Sequence, residues 1–205
     1  ERWRAFSADV AWFERSARGD YWDRMKIDHG YNPPPVWTMT GKAIASLAPA
    51  GDGFFKLLAL LDVALQLGSV LLINWAFGWR AMALATIFWG CNAPANFYWT
   101  GGAFLRQDWI FFAIAALCLL RKRYFVLAGV ALTWSTLLRI FPVALFGGIG
   151  IIALFHLLRH RRPHPDHLRF FGGAALAVAI LVPASMAVTG KDSYRAFAEH
   201  IALHK

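Results

Sequence analysis

Three charged side chains stand where this chain could do chemistry: Asp9, Arg106 and Arg139. A carboxylate can take the proton of an attacking hydroxyl as general base, and an arginine fork can grip a phosphate through two parallel hydrogen bonds. Each residue also has a plainer reading. Asp9 falls in the first turn of a candidate helix, where the helix dipole favours an acidic side chain. Arg106 has Asp108 two residues on as an ion-pair partner, and both arginines can snorkel to lipid headgroups. Charges at the ends of apolar spans are costly, however, which makes Arg106 and Arg139 site candidates by position. Asp20, Asp23 and Asp28 fit no ligand spacing and read as a solvated polar loop. His156, His160, His164 and His167 crowd one stretch, but no carboxylate or cysteine cluster in the sequence accompanies them, so no metal is expected. Cys91 and Cys118 lie in different apolar segments, which argues against a disulfide.

These residues sit in a strongly apolar chain. With 58% apolar residues, 16% charged residues and ten tryptophans, the 205 residues carry more hydrophobic surface than one soluble core could bury. The expected class is an all-α, polytopic membrane bundle. A net charge of +9 would suit a nucleic-acid partner, but the 21 basic residues fall at the ends of apolar segments, so none is expected. Residue 1 is Glu and no cationic, removable signal opens the chain, so a piece of a longer protein is expected, with an anchor before it.

About 20 apolar residues are needed to cross a core of roughly 30 Å. Six candidate spans follow, at about 54–78, 81–97, 103–120, 124–138, 141–158 and 169–188. The first is the clearest, although it carries Lys56 near its start and Asp62 inside. The stretch 124–138 is too short to cross alone, so it either continues or stops at depth against protein. Alternating spans place Arg80, Arg121-Lys122-Arg123 and "RHRRPHPDHLR" (159–169) on one side. Residues 1–53, the 98–102 loop, the "RIFP" turn at 139–142 and the tail 189–205 take the other. The first set is basic, whereas residues 1–53 balance seven basic against seven acidic side chains. The positive-inside rule therefore makes the basic set cytoplasmic. Alanine and arginine richness points to a bacterial inner membrane. No repeat of the kind that builds transporters is visible.

Residues 1–53 form the expected outer loop. Phe6, Val10, Phe13 and Ala17 recur at helical spacing, with Glu14, Arg15 and Arg18 on other faces, which describes an interfacial amphipathic helix. Ser7 is its candidate N-cap and Gly19 its end. Pro33, Pro34 and Pro35 then hold the chain extended, and the last suits the first position of a second helix. That helix would present Val36, Met39, Ala43, Ile44 and Leu47 on one face and finish near Pro49, with Tyr31 and Trp37 as interfacial anchors. The two helices would roof a cavity floored by the spans.

The order of an Asp-led amphipathic helix, Gly19-Asp20-Tyr21 and "YNPPP" before a long span resembles the first outer loop of C-type glycosyltransferases. The stretch "RQDWIFFAIAALCLLRKRYFVLAGVALTWSTLLRIFP" is similar to the family 87 mannosyltransferase-like group. Gln107 and Asp108 match its polar pair, Ala128-Gly129 its small pair, and Arg139 to Pro142 its basic-to-proline turn. Arg106 stands where glycine is usual, and Arg139 where lysine is commoner. The likeness covers roughly residues 7 to 145. It implies a polyprenyl-phosphate sugar donor, a glycan or glycolipid acceptor, and Asp9 as the base. It also implies Arg106 and Arg139 on the donor phosphate, with Tyr31, Gln107 and Asp108 on the substrates. Trp22, Tyr98 and Trp99 could stack on sugar faces or anchor at the interface. No cofactor is implied. A structural subunit of a larger membrane complex, with its charges paired to other subunits, is the alternative; a lipid-linked sugar transporter is a third.

Overall fold

The computed structural model describes residues 4, 7, 8, 10, 11, 14, 15, 33–49, 51–91 and 104–203. Asp9, Gly19 to Asp23, Asp28, Tyr31, Tyr98 and Trp99 lie outside the described residues. Contacts divide the chain into Glu1–Pro33 with Tyr194–Lys205, and Pro34–Ser193. In the first unit the described residues from Arg4 to Arg15 are helical, with Val10 half-buried and Glu14 and Arg15 exposed, as the amphipathic pattern requires. Ser7 is itself helical and so is not the N-cap, a position that needs an extended backbone. Nothing in Arg4-Ala5-Phe6 disfavours helix strongly enough to stop it there.

Nine further helices have defined bounds among the described residues: α1 (Pro35–Ala45), α2 (Asp52–Ala59), α3 (Leu61–Phe77), α4 (Trp79–Gly90), α5 (Asp108–Arg121), α6 (Phe125–Leu138), α7 (Val143–His160), α8 (Pro165–Thr189) and α9 (Ser193–Leu203). No strand occurs among the described residues. Among the described residues three stretches are long and apolar enough to cross a membrane: Gly53–Phe77, Val143–His160 and Pro165–Thr189. The protein therefore reads as a membrane protein; of the six expected spans, the stretches near 54–78, 141–158 and 169–188 correspond to these three. α4, α5 and α6 have 12, 14 and 14 residues. At 1.5 Å per residue these rise only about 18 to 21 Å. Such lengths fall short of a single crossing; α5 and α6 bury residues against neighbouring helices, whereas α4 buries none.

α6 is the helix most enclosed. Ala128, Gly129, Ala131, Leu132, Thr133, Ser135 and Leu138 are all buried, between α5 on one side and α8 on the other. Small residues permit this. A β-carbon on Gly129 would lie 2.0 Å from the Phe170 carbonyl oxygen, and one on Gly173 would lie 2.2 Å from that of Val126. The α6–α8 backbones thus touch, an approach only glycine allows. α7 is the opposite case: none of its residues is buried, and Ile151, Ile152, Leu154 and Phe155 are exposed. Leu145, Phe146 and Ile149 touch the core on one side, and the broad exposed apolar face opposite them suits lipid.

Contacts between helix ends group the basic segments at one end of Pro34–Ser193, as span alternation predicts. The Arg123 guanidinium is 3.6 Å from Asp166 at the start of α8, and Lys122 lies over Trp75 at the end of α3. The opposite end carries Asp62, Arg106 to Asp108 and Arg139.

α1 starts as expected, with extended Pro34 before Pro35 at its first position. It ends at Ala45, earlier than Pro49, and its inner face matches the predicted one only in part: Val36 is buried and Met39 and Ile44 are half-buried. Pro35, Val36 and Gly41 are buried, while Ala43 and Leu47 are exposed. The reason is tertiary: Val36 is 0% exposed in a cluster with Leu138, Ala177 and Leu181. α1 is therefore bundle packing, not a helix lying free in the interface. Trp37 likewise is no plain anchor, because its indole N–H donates to the Leu105 carbonyl at 2.8 Å.

Candidate functional site

Asp62 organises the end of the bundle opposite the basic loops. It lies in the first turn of α3 and is 0% exposed, where a carboxylate without partners would be very costly. Its partners come from the backbone before α5. Oδ1 accepts the N–H groups of Arg106 and Gln107, both at 2.9 Å, and Oδ2 is 3.1 Å from the Arg106 nitrogen. One carboxylate therefore satisfies two of the donors that a helix start leaves open. Leu105 just before them adopts φ +48°, an uncommon conformation for a branched residue. It is held there by the Trp37 hydrogen bond and by its own burial. These constraints start α5 at Asp108, five residues later than the predicted span.

Asp108 follows directly. It is 4% exposed, and its Oδ1 accepts the Trp109 N–H at 2.7 Å. Its Oδ2 is buried with no hydrogen-bond partner among the described residues. Through space, Asp62 repels this carboxylate and Arg139 attracts it. Arg139 stands at the C-terminal end of α6 in an extended conformation, exposed to solvent. Two contacts hold that end of α6 and the following turn beside α5: the Ser135 hydroxyl donates to the Trp109 carbonyl, and the Trp109 and Phe141 rings lie 6.3 Å apart.

Beside this cluster α3, α4 and α5 enclose an apolar cavity of about 340 Å³. Val70, Phe88, Trp89 and Ile114 contribute its apolar walls, and Gln66 and Gln107 bring amides to it. The Gln66 Nε2 is buried without a hydrogen-bond partner among the described residues. Gln107 joins the two features, since it is among the residues lining the cavity while its N–H is fixed by Asp62.

Of the residues predicted from sequence, the structure thus brings Arg106, Gln107, Asp108 and Arg139 to one end of the bundle. Arg106 is exposed there, and its backbone, not its side chain, meets Asp62. Asp9 and Tyr31 lie outside the described residues. Sequence reasoning gave Asp62 no role, although an acidic residue about two turns into the clearest span was a signal. Gln66, Trp37 and Ser135 carried no comparable signal. Cys91 and Cys118 are free, the second buried. Comparison with family models, with curated proteins and with solved structures yields no match for this chain.

Proposed function

We propose that this chain is an integral membrane glycosyltransferase that moves a sugar, mannose-like, from a polyprenyl-phosphate donor to a hydroxyl acceptor. The observation that carries the reading is the juxtaposition at Gln107. A segment bearing Arg106 and Asp108, rigidly fixed by Asp62, adjoins an apolar cavity with a polar end. A lipid-linked phosphate needs such a pairing, because its isoprenoid requires a dry slot and its phosphate requires cations at the slot's mouth.

The resemblance assigns the base to Asp9. In the proposed step Asp9 removes the acceptor hydroxyl proton as the oxygen attacks the anomeric carbon. The bond from that carbon to the phosphate oxygen breaks in the same inverting displacement, and polyprenyl phosphate departs. Arg139 and Arg106 stabilise the charge gathering on the leaving phosphate. The unpartnered Asp108 Oδ2 is suited to accept a hydrogen bond from a sugar hydroxyl, with Gln107 and Tyr31 as further substrate contacts. The step requires no cofactor. The reading places the protein in a bacterial inner membrane, the basic end cytoplasmic and the Asp62 end outward.

The test is transfer of radiolabelled sugar from a panel of polyprenyl-phosphate sugars, in membranes containing the full chain or its Asp9→Asn variant. Transfer by the parent that falls at least about a hundredfold in an equally expressed variant supports the reading. Absence of transfer from every donor overturns it in favour of a structural subunit, and equal transfer by both proteins removes Asp9 from the chemistry.

A further inference from the structure

A second cavity, at the basic end of the bundle, is unrelated to the sugar-transfer reading. It measures about 340 Å³ and opens between the end of α7, the start of α8 and the start of α6. Phe125, Ile152 and Phe155 line part of it, and the other lining residues carry imidazole or charge. Around His156 the ring centroids of His160, His164 and His167 lie at 4.4, 5.1 and 5.7 Å. His164 and His167 are 5.3 Å apart. Arg159 belongs to the same lining. Four imidazoles at this spacing repel one another strongly once protonated, unless an anion sits among them.

Asp166 is the only carboxylate of the described lining, and it is already engaged. Its Oδ1 is 3.3 Å from Arg169 and its Oδ2 3.6 Å from Arg123, with His164 Nδ1 at 3.8 Å. The two arginines bring more positive charge to the rim than Asp166 removes. The His167 Nδ1 is buried without a hydrogen-bond partner among the described residues, so one imidazole still lacks a hydrogen-bonding atom opposite it. A cation is the poorer occupant, because among the described residues no group of three histidine, cysteine or acidic side chains is arranged to hold a metal ion.

α7 and α8 are two of the three stretches able to cross a membrane, and the cavity lies where one ends and the other begins. That level is the headgroup layer. Next to the cavity runs the α7 face with Ile151, Ile152 and Phe155, exposed and apolar. We infer that this cavity is a binding site for an anionic phospholipid, its phosphate among His156, His167 and Arg159 and its acyl chains against Ile152, Phe155 and the α7 face. Basic pockets between spans suit such headgroups. Bound phosphate favours protonated imidazole, so binding takes up protons. Affinity therefore rises as pH falls through the histidine range, by up to about tenfold per pH unit for each proton taken up.

The test uses the full chain, labelled with ¹⁵N at histidine, in phosphatidylcholine nanodiscs with or without phosphatidylglycerol. Phosphatidylglycerol should shift the imidazole resonances saturably, with affinity at pH 6 at least about fivefold above that at pH 8. Arg159→Gln should weaken binding about tenfold or more, whereas Arg162→Gln, a basic change outside the cavity lining, should not. An equal loss in both variants would reduce the site to general surface charge and overturn the inference. So would identical spectra in the two lipids, or saturation by free glycerol phosphate at the concentrations at which phosphatidylglycerol saturates. Asp52, remote in sequence from the cavity lining, supplies a folding control through Asp52→Asn, which should bind as the parent does.

Discussion

Replacing Asp62 by asparagine changes one atom and tests the anchor of the candidate site. The amide oxygen can take the place of Oδ1 and keep both 2.9 Å contacts, to Arg106 and Gln107. The amide nitrogen then stands where Oδ2 was, 3.1 Å from the Arg106 nitrogen, so a donor faces a donor. Hydrogen bonds to a charged acceptor contribute about 1.5–3 kcal/mol each against about 0.5–1.5 for neutral ones. Two weakened bonds thus remove about 2–3 kcal/mol. Opposing this, the variant buries no charge and no longer repels Asp108. Because the native carboxylate is 0% exposed and doubly served by backbone donors, the loss should win. Asp62→Ala leaves both donors without an acceptor, at about 1–3 kcal/mol each, and should cost more. Unfolding by SDS in mixed micelles, followed by tryptophan fluorescence, measures both variants. In a transfer assay the asparagine variant should bind donor at least tenfold more weakly, about 1.4 kcal/mol, as the Arg106–Asp108 segment loosens. If the asparagine variant is as stable as the parent or more so, the carboxylate does not anchor the start of α5.

Other outcomes follow from the same geometry. Gly129→Ala puts a methyl 2.0 Å from a carbonyl oxygen, and Gly173→Ala one at 2.2 Å, so α6 and α8 must separate by about 1 Å. Each should lose about 3 kcal/mol or more in the SDS titration, since backbone, unlike a side-chain tip, cannot swing aside. Gly172→Ala, which meets no atom within 4 Å, should be neutral there. Trp37→Phe removes the 2.8 Å hydrogen bond to Leu105 while keeping an aromatic ring beside Phe104, and should cost about 1 kcal/mol in the same measurement. Arg139→Gln should lower sugar transfer about a hundredfold, and Arg139→Lys less, because lysine keeps the charge but not the fork. Expression of both should match the parent, as Arg139 is exposed.

The class of this protein was legible in the sequence alone because it rests on sums over many residues. A 58% apolar content with charges confined to segment ends describes membrane helices whatever their arrangement, and the stretches near 54–78, 141–158 and 169–188 correspond to the three helices able to cross. The grouping of Arg121 to Arg123 with 159–169 was legible for the same reason, since alternation of spans is a counting argument. Pro35 as the first residue of α1 came from covalent geometry, which the chain carries locally.

What only the tertiary structure decided is which polar groups meet. Asp62 and Arg106 are 44 residues apart, and no local propensity connects a carboxylate in one helix to the N–H groups before another. The inner face of α1 was read correctly at Val36 and Met39 but not at Ala43 and Leu47, because amphipathic spacing describes a helix against a uniform apolar phase. Against α6 and α8, the local shape of the partner adds Gly41 to that face and leaves Ala43 and Leu47 exposed. The histidines illustrate the same division. In sequence they were a run without a carboxylate cluster; folded, four rings and Arg159 line one cavity, because α7 ends where α8 begins. Composition and covalent geometry act residue by residue and survive in any arrangement. Convergence of side chains from distant segments depends on how helices cross, which close contacts such as Gly129 on Phe170 determine.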